Sequence, residues 1–78
     1  MADQKEPIAM FTYRECEIIR LIAQGLTSRV IADRLCLSTE TVKSHRKNII
    51  RKIPEVTDQP TPLLEFAIAF EKKREKSL

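Results

Sequence analysis

Apolar residues recur along this chain at helical spacing, in stretches separated by turn-forming residues. Ile18, Ile19 and Ile22 make the first stripe. Before it stands Thr12-Tyr-Arg-Glu15, a capping box in which Thr12 accepts from a backbone N–H and Glu15 reaches back to the Thr12 N–H. After it comes Gly25, the only glycine in the chain, suited to the left-handed position that ends a helix. The pattern predicts a helix over Tyr13–Gln24. Thr27 or Ser28 then caps a short helix to Leu35, with Ile31, Ala32 and Leu35 on its apolar side. Cys36-Leu37-Ser38 is a three-residue turn, and Ser38 caps a third helix over about Thr39–Ile53. Pro54 is expected to stop it, because a residue before proline is pushed out of the helical region. Thr61-Pro62 opens a fourth helix, expected over about 62–72, through Leu63, Leu64, Phe66, Ala67, Ile68 and Phe70. No strand pattern and no repeat is evident.

These elements predict an all-α, four-helix domain over residues 12–70. A flexible arm (1–11) precedes it and a charged tail (73–78) follows it. With 78 residues the core is thin, and a large substrate cavity has no room to form.

Charge changes the picture at the third helix. Leu37–Lys52 holds five of the fourteen Lys and Arg residues, the only His and a single acid, Glu40. Drawn at about 100° per residue, Val42, Ile49 and Ile53 share one face. Lys43, Lys47 and Arg51, spaced by four, lie on the other with Ser44 and Glu40. One face is a core and the other a basic rail with a short polar residue in it. A short helix, a tight turn and a longer basic helix form a helix-turn-helix unit, whose second helix enters the DNA major groove. Lys and Arg suit phosphate and guanine, and Ser or Thr can meet a base or a phosphate.

The segment TYRECEIIRLIAQGLTSRVIADRLCLSTETVKSHRKNIIRKI resembles the DNA-binding domain of the LuxR/GerE family of bacterial transcription regulators. The markers are Thr12-x-Arg14-Glu15, Ala23-x-Gly25, Ile31-Ala32-x-x-Leu35 and Ser38-x-x-Thr41-Val42-Lys43-x-His45. The resemblance implies a four-helix domain that binds double-stranded promoter DNA, as a homodimer through the last helix. It implies base contacts from Lys43, Ser44 and Lys47, and backbone contacts from Ser28, Arg29, Thr41 and Arg46, to which the basic rail adds Arg51. Leu63, Phe66, Ala67 and Phe70 are the expected pairing surface. The chain departs from the family where KIPEVTDQPTP leads into the last helix, and at Val30, where a charged residue is usual.

The remaining residues exclude other chemistries. Ser38, His45 and Asp33 supply the residue types of a hydrolase triad, but Ser38 is taken up as a cap and nothing supplies a pocket. His45 reads as a structural, hydrogen-bonded histidine at the edge of the apolar face. Cys16 and Cys36 lack CxxC spacing and read as reduced, mostly buried thiols of a cytoplasmic protein. No metal, cofactor, enzymatic activity or membrane partner is expected. The chain reads as a stand-alone regulator or as the output end of a longer one. The alternative is a small helical adaptor whose basic face meets an acidic protein.

Overall fold

The computed structural model describes residues 11–77, and among them it contains four helices and no strand. They are α1 (Tyr13–Ala23), α2 (Ser28–Leu35), α3 (Thr39–Thr57) and α4 (Leu63–Ser77). α4 lies along α1 and α2 along α3, and the two pairs join where α1 meets α2 and α3.

α1 and α2 begin and end for local reasons. The capping box forms as the spacing predicts: the Thr12 hydroxyl accepts from the Glu15 N–H, and the Glu15 carboxylate accepts from the Thr12 N–H, both at 3.0 Å. Gly25, at φ 86°, ends α1. The Gly25 N–H reaches the Ile22 carbonyl and the Leu26 N–H the Leu21 carbonyl, a Schellman closure. Thr27, rather than Ser28, caps α2. The same closure recurs at the end of α2, where the Leu37 N–H donates to the Ala32 carbonyl. Here the left-handed residue is Cys36, at φ 58°.

Pro54 does not stop the third helix. α3 continues through it to Thr57 and ends at Asp58, in the left-handed region at φ 71°. Pro54 is exposed, so its ring displaces nothing from the core, while buried Ile53 and half-buried Val56 hold the chain on either side of it. The Asp58 N–H donates to the Pro54 carbonyl at 2.8 Å, closing the added turn. The local bias against helix before proline is outweighed by burial of these side chains.

The core consists of Ile18, Ile19 and Ile22 from α1, Ile31 and Ala32 from α2, Val42, Ile49 and Ile53 from α3, and Phe66 and Ala67 from α4, with Phe11 ahead of α1. Phe11 belongs to the core and not to the arm expected over residues 1–11. Its ring lies 5.8 Å from Phe66 and 5.7 Å from Phe70, centroid to centroid, and clamps α4 onto α1. The rest of the arm lies outside the described residues. At the other end α4 stays helical to Ser77, beyond the expected limit at 72.

Two further expectations change. Phe66 and Ala67 are buried inside the chain's own core, and Leu63 and Phe70 are half-buried against it. This side of α4 packs on the chain's own core, which encloses Phe66 and Ala67 of the expected pairing surface and leaves Leu63 and Phe70 partly open. The exposed large apolar residues of α4 are Leu64 and Ile68. Cys36 is exposed and Cys16 half-buried, so the thiols are less enclosed than expected.

Candidate nucleic-acid interface

α2, the turn at 36–38 and α3 form the predicted helix-turn-helix. Ala32, nearly fully buried, is small enough to let α2 approach α3 closely. Val42, Ile49 and Ile53 are at most 1% exposed, which fixes the rotation of α3 about its axis. The opposite face then has no choice of direction: Lys43, Ser44, Lys47 and Arg51 are all exposed.

The start of α3 is prepared by two hydroxyls. Ser38 accepts from the Thr41 N–H at 3.1 Å and donates to the Thr41 hydroxyl at 2.9 Å. The Thr41 hydroxyl is thereby an acceptor within the chain, and its own proton remains to be donated outward. On α2, Ser28 and Arg29 stand in a first helical turn that carries no acid. A helix start of this kind favours an anion. Arg29 is exposed and Ser28 half-buried, and exposed Val30 follows them. Arg46 is half-buried, as expected of a residue whose stem packs while its head reaches out. His45 is also half-buried, and the hydrogen-bonded role expected for it is not realised among the described residues.

One base of the cluster is turned inward. Lys52 donates to the buried Glu15 carboxylate at 2.8 Å, and its ammonium lies 5.7 Å from the centre of the Phe11 ring. Glu15 therefore serves the α1 cap and the third helix together. This pair was not legible in the sequence, where Glu15 is accounted for by its cap and Lys52 is one more charge in a basic run. Lys43, Arg46, Lys47 and Arg51 remain for an external partner.

No group of His, Cys, Asp and Glu residues among those described could hold a metal ion, and no helix among them is long and apolar enough to cross a membrane. The structure brings Lys43, Ser44, Lys47 and Arg51 onto one face of α3. Thr41 stands at the start of that helix, and Ser28 and Arg29 at the start of α2. On α4, Leu64 and Ile68 are exposed, Leu63 and Phe70 half-buried, and Phe66 and Ala67 buried.

Comparison with known proteins agrees with this geometry. Residues 9–58 match the family model described as bacterial regulatory proteins, luxR family. The transcriptional regulatory protein DegU of Brevibacillus brevis is 35% identical over 63 residues, covering 81% of this chain and 26% of DegU. The nitrate/nitrite response regulator protein NarP of Escherichia coli (strain K12) is 38% identical over 50 residues, 64% of this chain and 23% of NarP. The oxygen regulatory protein NreC of Staphylococcus aureus is 35% identical over 72 residues, 83% of this chain and 33% of NreC. The chain thus spans about a quarter to a third of the length of these relatives. No solved structure gives a significant match. The chain belongs to the LuxR family of bacterial regulatory proteins, and its helix-turn-helix is that of a DNA-binding transcriptional regulator or of the output domain of one.

Proposed function

We propose that α3 lies in the major groove of promoter DNA, with Lys43, Ser44 and Lys47 meeting base edges. Ser28 and Arg29 at the start of α2, and Thr41, Arg46 and Arg51 on α3, hold the flanking phosphates. The observation that carries this reading is the division of α3: Val42, Ile49 and Ile53 are fully enclosed, which forces Lys43, Ser44, Lys47 and Arg51 outward together. Lysine suits the acceptor edge of guanine, and serine fits beside either kind of base. Phosphate contacts set register and affinity, and the base contacts select sequence.

Two copies pair on the DNA through α4, using the outward strip of Leu64 and Ile68. Such a two-fold pair would place its recognition helices about 34 Å apart, over half-sites about 10 base pairs between centres.

Selection of bound duplexes from a random library tests the reading. The expected product is an inverted repeat containing guanine, with the preference relaxed at separate positions by Lys43→Ala and Lys47→Ala. Unchanged preference in both variants would remove these lysines from the reading face.

A further inference from the structure

Ile50 lies on the basic face, among residues that the core does not need. It is 50% exposed, while Ile49 beside it is fully buried. The chain therefore places a large aliphatic side chain outward from α3 although an inward position is already filled. Lys43, Lys47 and Ile50 stand at i, i+4 and i+7, which sets them in one strip along the helix, about 10 Å long. The neighbours of Ile50 one turn away on the outer side are half-buried Arg46, exposed Lys47 and exposed Pro54. Pro54 has no N–H to give the Ile50 carbonyl, but the helix runs on through it, so Ile50 is held at a fixed place beyond the two lysines.

An exposed isoleucine in water needs no explanation when it stands alone. Its place in a strip that meets a nucleic-acid groove gives this one a consequence. The major groove is lined by hydrogen-bond donors and acceptors, and its distinctive apolar feature is the C5-methyl group of thymine. An aliphatic side chain can offer no hydrogen bond to the other base edges, and it would leave them desolvated. We propose that Ile50 is a specificity-determining residue that selects thymine, by packing on its methyl group, at a position next to the bases met by Lys47. The inference rests on the assignment of α3 to the major groove and adds an apolar reader to its polar ones.

The test uses the full chain and a duplex recovered from the random library, with each thymine replaced in turn by deoxyuridine. That exchange removes only the methyl group. Wild type should lose about fourfold in affinity at one thymine, the worth of one buried methyl-sized group. Ile50→Ala should bind the parent duplex more weakly by a similar factor and should show no further loss at that same thymine. Ile50→Gln should shift the selected base there from thymine towards adenine, whose N6 and N7 suit an amide. Ile50 is half exposed and alanine favours helix, so both the melting curve and the salt dependence of Ile50→Ala should match wild type. If no thymine methyl matters to wild type, or if every methyl that matters does so equally in Ile50→Ala and Ile50→Gln, the inference is overturned while DNA binding stands. Absence of binding to any duplex would instead remove the groove assignment and the inference with it.

Discussion

Replacing Lys52 by methionine should destabilise the domain far more than replacing any other base of α3. The substitution keeps an apolar stem over the Phe11 ring and deletes the ammonium that lies 2.8 Å from Glu15. The Glu15 side chain is 5% exposed and would then hold a charge with only the Thr12 N–H beside it among the contacts described above. Removing one partner of an enclosed pair costs about 3–5 kcal/mol. The Lys52 side chain is 25% exposed, so water screens the pair, and the expected loss falls to about 2–3 kcal/mol. For a domain of this size that is a fall in melting temperature of about 10–20 °C. Glu15→Gln retains an oxygen for the Thr12 N–H, so the double variant Glu15→Gln/Lys52→Met buries no stranded charge. It should recover about 1–2 kcal/mol relative to the sum of the two single changes. Urea unfolding followed by far-ultraviolet circular dichroism measures all four proteins. A loss below about 0.5 kcal/mol in Lys52→Met, or strict additivity in the double variant, would refute the role given to this pair.

Three further outcomes are expected. Ile49→Ala should cost about 2–5 kcal/mol because the side chain is fully buried, whereas Lys47→Ala should leave the melting temperature nearly unchanged; equal effects would mean the faces of α3 are wrongly drawn. Cys36→Gly should stabilise by about 0.5–1 kcal/mol in thermal melts, since it relieves a left-handed non-glycine residue at φ 58° while loosening the unfolded chain; a loss of stability would contradict this. Leu64→Glu and Ile68→Glu should leave half-site binding intact and abolish the gain from a full inverted repeat in sedimentation with DNA, while Phe66→Glu should unfold the domain; a full-site gain that survives both exposed-face changes would exclude pairing through this strip.

Legibility in the sequence followed the range of the interactions. The caps at Thr12 and Ser38 and the turn at Gly25 depend on partners within a few residues, and their spacing announced them. The basic face of α3 was legible for the same reason, since one helix's periodicity sorts its own residues. The Lys52–Glu15 bond spans 37 positions, and no local pattern carries it. The helix-stopping bias of Pro54 is a local one, while the burial of Ile53 and Val56 that overrides it is tertiary. On α4 apolar residues occur on more than one side, so periodicity could not say which would face α1. The Phe11–Phe66–Phe70 cluster decides it, and Phe11 lies outside any helix.

The central claim is that the outward face of α3 binds the duplex through its phosphates as well as its bases. The most direct measurement is the affinity for a selected duplex as a function of salt, plotted on logarithmic axes. Each phosphate contact contributes a slope of about −0.9, so Arg29, Arg46 and Arg51 alone predict about −3 per bound chain. Arg51→Ala should make the slope shallower by about 0.9, and Lys52→Met, whose ammonium is turned inward, should leave it unchanged. A flat salt response in wild type, or an equal change from Lys52→Met and Arg51→Ala, would contradict the account.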